Sequence, residues 1–139
     1  MSTTTLQWLS GQRFVGIDST HHAVVLSSTA DGVGVKPSDM LLIALAACTA
    51  VDVVEILAKK RLTLASLEII TSGEQDADPP WTFRQIHMQF RLAGAGLTEK
   101  AVAQAIRLSE EKYCSVAATI RGVAQITTEF EILSEGDQP

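Results

Sequence analysis

Only two of the 139 residues are cysteine, and no CxxC pair or zinc-ribbon spacing joins them. A disulfide-stapled scaffold and a zinc ribbon are therefore excluded. Cationic residues are also scarce. Eleven Lys and Arg stand against sixteen Asp and Glu, a net charge of -5, and the longest basic cluster is the trio Lys59, Lys60, Arg61. Without a patch to neutralise phosphates, nucleic acid drops out as a partner class. Long uncharged runs are missing as well: the longest apolar one, Met40 to Val51, falls short of the roughly 20 residues that span a bilayer and is followed at once by Asp52 and Glu55. It reads as a core helix, with no membrane partner. The start, MSTTTLQWL, lacks the basic segment, apolar stretch and cleavage site of a signal peptide, so cytoplasm is the expected location. In that reducing compartment two cysteines are more often free or redox-active than structural.

What the chain does contain is an α+β pattern. Its length and 46% hydrophobic content fit one domain over 1–139 with a real core. Thr3 to Leu9, Phe14 to Ile17 and His22 to Ser27 predict three short strands in a meander. The small-residue loop STADGVGV, 28–35, leads into the central stretch KPSDMLLIALAACTAVDVVEILAKKR. Pro37, Ser38 and Asp39 start a helix there and the basic trio ends it. From Pro37 to Lys60 it would be about 36 Å long. Its first half is apolar on every side and needs cover on every side. A second copy of the chain is the expected source of part of that cover.

Leu62 to Ser72 alternates loosely and runs into the acidic connection GEQDADPP, 73–80. Trp81, beside Pro79 and Pro80, reads as a loop anchor. The next strand alternates cleanly, with Ile86, Met88, Phe90 and Leu92 on one face and Gln85, His87, Gln89 and Arg91 on the other. Thr98 caps a second helix, with Leu97 placed to pack on Val102. Val102, Ala105, Ile106, Ser109 and Tyr113 form its inward stripe. Ser115 can cap a short third helix that Gly122 ends. Ala124 to Ile132 alternates as a last, half-buried strand, and 133–139 is expected to be a disordered tail. The order is βββ-α-ββ-α-α-β.

The residues that could carry chemistry begin with the cysteines. Cys48 lies among Ala44, Ala46, Ala47 and Ala50, where a free cysteine reads first as a small buried apolar residue and only beside that as a sheltered reactive thiol. Cys114 precedes a short helix whose N–H groups favour a thiolate, and Lys112 is close in sequence, so a lowered pKa is expected there. Asp52, one turn beyond Cys48, and Glu55 read as the start of a solvated face, with Glu55 paired to Lys59. Asp39 is about 13 Å along the helix from Cys48 and could act on it only through a bridging cation. Arg13 is one candidate for that cation, beside the plainer reading of a solvent-facing strand arginine. His21, His22 and His87 share no metal-ligand spacing with the cysteines.

Two motifs together resemble the OsmC/Ohr family, the osmotically inducible and organic hydroperoxide resistance proteins. One is Pro37 three turns ahead of helical Cys48, with Asp52-Val53-Val54 just after it; the other is EEKYCSVAATI around Cys114. The similarity extends over nearly the whole chain and is greatest to the general OsmC-like branch. It implies an intertwined homodimer with long central helices and sites at the subunit interface. It also implies that Cys48 is the peroxidatic and Cys114 the resolving cysteine of a peroxidase acting on organic hydroperoxides, with no bound cofactor and an external dithiol, lipoyl-type in the best-known branch, as reductant. In the peroxidase branches a glutamate just after the proline orders an arginine that stabilises the thiolate. Here Ser38 and Asp39 follow Pro37, and the segment GQRFVG lacks the Gly-Arg-Asp-Gly pattern of the Ohr branch. Asp39 and Arg13 are the corresponding candidates. The alternative implied by the same resemblance is a non-catalytic module that binds a small ligand or senses redox state with the same cysteine pair.

Overall fold

The computed structural model describes residues 1–134 and groups the chain into two compact units, one over Met1–Leu41 and one from Leu42 onward. In the first, β1 (Thr5–Ser10), β2 (Arg13–Ile17) and β3 (Ala23–Ser27) form an antiparallel meander in sequence order. Gly11 turns β1 into β2 with φ +53°, a left-handed conformation that glycine adopts at little cost. Buried Ser27 organises the loop that follows: its Oγ accepts N–H bonds from Val33 (3.2 Å) and Gly34 (2.9 Å). Leu6, Trp8, Leu9 and Val25 of this sheet are all exposed in the single chain.

The long helix α1 (Pro37–Lys59) starts and stops as its sequence signals direct. Only one stripe of it is covered, Leu45, Thr49, Val53 and Leu57, spaced four apart. By length and composition this helix could cross a bilayer. Its covered stripe instead joins the core of the second unit.

That core rests on a three-stranded sheet of β4 (Ser66–Gln75), β5 (Phe83–Ala93) and β6 (Gln125–Ile132), with β5 central, antiparallel to β4 and parallel to β6. Ile86, Met88, Phe90 and Leu92 of β5 are all buried, in keeping with their period-2 spacing. They meet Leu45, Val53 and Leu57 of α1 and Val102, Ala105 and Ile106 of α2 (Glu99–Leu108) in one cluster. Burying each of the larger side chains contributes on the order of 1.5–3 kcal/mol. Thr98 caps α2 by accepting the Ala101 N–H at 3.1 Å.

The element order matches the expected βββ-α-ββ-α-α-β, with departures at several boundaries; β4 starts at Ser66, later than the Leu62 expected. β4 runs on through Gly73, Glu74 and Gln75, which pair with β5 although the sequence places them in the connection. An antiparallel ladder uses backbone groups, so acidic side chains on its outer edge do not end it. Between α2 and α3 (Ser115–Ile120) lies a π-helical turn, Ser109–Tyr113. The wider turn changes the phase of the stripe: Ser109 stays buried, Tyr113 is 53% exposed, and Cys114 takes the inward position. At the end of the chain Leu133 is buried and donates its N–H to the Leu92 carbonyl (2.6 Å), so the expected tail does not begin there. The rest of that tail, from 135 on, lies outside the described residues.

Candidate active site

Two elements bring the two thiols together. Cys48 sits midway along α1, half-buried and packed against the core cluster. Cys114 ends the π turn and is 2% exposed. Both are free, and Cys48 is near enough to Cys114 to act on its ionisation. Thr49, fully buried beside Cys48, also points at Cys114, its Oγ1 3.8 Å from Sγ.

The electrostatics of Cys114 reverse the expectation from its sequence. Cys114, not Ser115, is the N-cap of α3, and its Sγ accepts the Ala117 N–H at 3.3 Å. That bond favours the thiolate, as does the Thr49 hydroxyl. Burial opposes both and is the largest influence; with the hydrogen bond to Cys48 it pushes the thiol pKa up. Lys112 gives no relief, since its ammonium lies 5.3 Å over the exposed Tyr113 ring. A helix of six residues contributes only its first N–H groups, too little to offset desolvation.

Asp52 is not the plain solvated residue its sequence context suggested. It is half-buried and accepts a 2.7 Å hydrogen bond from Ser109 Oγ. No local signal announces this pair, because its members come from different helices. Glu55 does pair with Lys59, at 3.2 Å on the surface. Beside them Asp52, Ile56, Leu108 and Tyr113 line an open groove of about 430 Å³.

The other two predicted site residues lie in the first unit. Arg13 opens β2 and its Nε is 3.8 Å from Asp31 Oδ2. Asp31 also accepts the Gln12 N–H at 2.6 Å. Asp39 is exposed on the first turn of α1 and makes no ion pair among the described residues. The carboxylate paired with Arg13 is thus Asp31, from the loop 28–35.

The model of the family described as "OsmC-like protein" matches residues 29–129 of this chain. The chain belongs to the OsmC-like family. Among its relatives, protein YhfA of Escherichia coli K12 is 33% identical over 129 residues, covering 93% of this chain and 96% of that protein. Among solved structures, a hypothetical protein from Aquifex aeolicus VF5 is similar at 27% identity and a TM-score of 0.82, covering 96% of this chain and 98% of that one. The organic hydroperoxide resistance protein OhrB of Bacillus subtilis shares the fold at 14% identity and a TM-score of 0.62, with 94% and 98% coverage. Both cysteine segments of this OsmC-like chain fall inside the matched region.

Proposed function

We propose that this OsmC-like protein is a thiol-dependent peroxidase that reduces organic hydroperoxides with the Cys48/Cys114 pair. The observation that carries the reading is the meeting of two free thiols of unequal exposure in one apolar setting. Cys48, the half-exposed one, is the thiol a bulky peroxide can meet first. Its thiolate attacks the O–O bond, an alcohol leaves, and Cys48 becomes a sulfenic acid. Cys114 then attacks that sulfur, forming the disulfide and releasing water. An external dithiol restores both thiols through a mixed disulfide. Hydroperoxide resistance in the name of the Bacillus subtilis relative supports the substrate class.

The reading includes a homodimer. Ile43, Ala47, Val51 and Val54 form a second apolar stripe on α1, opposite the buried one and exposed in the single chain. A second copy of the chain is its proposed cover.

The test is consumption of an alkyl hydroperoxide by purified protein with a dithiol reductant. Cys48→Ser is expected to be inactive, and Cys114→Ser to stop at a trappable sulfenic acid. Unchanged turnover in Cys48→Ser overturns the proposal. Arg13 enters as the thiolate-stabilising cation that the family likeness suggests, and Asp39 as the carboxylate that would order it. Arg13→Ala is expected to lower kcat/KM by about 10-fold, the loss of roughly 1.4 kcal/mol of transition-state stabilisation.

One observation favours the alternative of a ligand-binding or redox-sensing module: Arg13 is held by Asp31, not by Asp39. Under that reading no dithiol supports multiple turnover, while oxidation shifts the Tm.

A further inference from the structure

Ser109 stands out in the core of the second unit. It occupies an inward position of a stripe otherwise made of Val102, Ala105 and Ile106, and it is fully buried. A serine there needs a partner, since an unpaired buried hydroxyl costs about 1–3 kcal/mol. Its partner is charged: Ser109 Oγ donates to Asp52 Oδ2 at 2.7 Å. Asp52 lies one turn beyond Cys48 on the same helix.

The other end of Ser109 reaches the second cysteine. Ser109 is the first residue of the π turn, and its carbonyl accepts the Cys114 N–H at 2.8 Å. One residue therefore joins the helix that carries Cys48, through Asp52, to the backbone of Cys114. The turn it begins is the irregular one that brings Cys114 inward. Turns of this kind are rare and recur at functional sites. Fixing one end by a charge-assisted bond, roughly twice as strong as a neutral one, restrains where the other end can go.

We propose that Asp52 and Ser109 form a positioning clamp that sets the Cys114 thiol for disulfide closure with Cys48. This rests on the cysteine-pair reading above and deepens it. In the step the clamp serves, Cys114 Sγ bonds to Cys48 Sγ as the S–O bond of the sulfenic acid breaks. The hydroxyl leaves as water with the Cys114 proton; the Cys48 sulfur is reduced and the Cys114 sulfur oxidised. Neither Asp52 nor Ser109 exchanges an atom in the step. They act through the turn, by holding Cys114 in its inward position toward Cys48.

The test follows closure by quenched-flow mass spectrometry in the full-length wild type, Ser109→Ala, Asp52→Ala, Asp52→Asn and the Asp52→Ala/Ser109→Ala double variant. Two oxidants are used in parallel. One equivalent of an alkyl hydroperoxide drives closure through the sulfenic acid. Diamide drives the same closure directly, its N=N bond taking up the two electrons and two protons. The expected result is closure slowed at least tenfold in Ser109→Ala and Asp52→Ala, measured relative to Cys48 oxidation in the hydroperoxide arm. The double variant should be no slower than the worse single one, because both remove the same bond. Asp52→Asn, whose amide oxygen still accepts, should recover most of the loss. A general loosening of the fold would lower Tm without this rescue or this split between steps. Ser109→Ala removes one atom and leaves half-buried Asp52 within reach of water at the groove it lines, so it keeps the fold; if it does not, Asp52→Ala carries the test. Wild-type closure rates in both single variants overturn the clamp. Closure with diamide but not hydroperoxide overturns the peroxidase reading and leaves the clamp to be judged in the diamide arm. No closure with either oxidant overturns both.

Discussion

Thr49 Oγ1 stands 3.0 Å from the Leu45 carbonyl and 3.8 Å from Cys114 Sγ, so one hydroxyl hydrogen serves either its own helix or the thiol across the core. Its neighbour Cys48 is the other half of the pair, and Thr49 is thus a donor available to Cys114 when negative charge develops on that sulfur. Thr49→Val keeps the shape and removes the donor. Closure of the disulfide is expected to slow by about fivefold, the worth of one hydrogen bond of roughly 1 kcal/mol. Urea unfolding should show a loss of no more than about 1.5 kcal/mol. Unaltered closure would assign Thr49 to helix packing alone.

The raised pKa of Cys114, caused first by burial, has two consequences for pH dependence. Because the thiolate is the attacking form, closure should keep accelerating past about pH 8.5, the ordinary cysteine value. Stability should follow the opposite course. The folded chain holds this proton more tightly than the unfolded chain, so the contribution is full below about pH 8.5 and is lost as pH rises toward the folded value. Unfolding midpoints in urea under reducing conditions at pH 7 and pH 9.5 check the sign. Cys114→Ala should show the smaller fall.

The exposed stripe of α1 makes a separate prediction. Val51 is 66% exposed and Val54 45% exposed in the single chain. If a second copy covers them, Val51→Asp places a carboxylate in an apolar contact and should weaken self-association by at least 100-fold, about 2.7 kcal/mol. Sedimentation equilibrium at micromolar concentration reads this directly. A monomeric wild type would refute the proposed dimer.

Much of the fold is legible in the sequence because it rests on local rules. The alternation of Ile86, Met88, Phe90 and Leu92 follows from the strand repeat, and those four residues are buried. The Thr98 cap and the Glu55–Lys59 pair are contacts between residues three or four apart, which spacing alone can give. The π turn was not legible, since nothing in SEEKY distinguishes a five-residue turn from the continuation of α2. On an uninterrupted helix Tyr113 would fall on the inward stripe, whereas the turn leaves it exposed. The Asp52–Ser109 bond was invisible on other grounds, as it joins residues of two helices far apart in the chain.

The sequence by itself determined the elements, their order and the presence of two thiols on segments matching one family, because repeat, caps and motifs are properties of short stretches. Tertiary structure alone decided that Cys48 and Cys114 are neighbours and that Cys114 holds its proton. Burial and contacts across the core outweigh the two local features, a helix start and a nearby lysine, that argued for a thiolate. Desolvation depends on everything that surrounds an atom, and no local pattern encodes it.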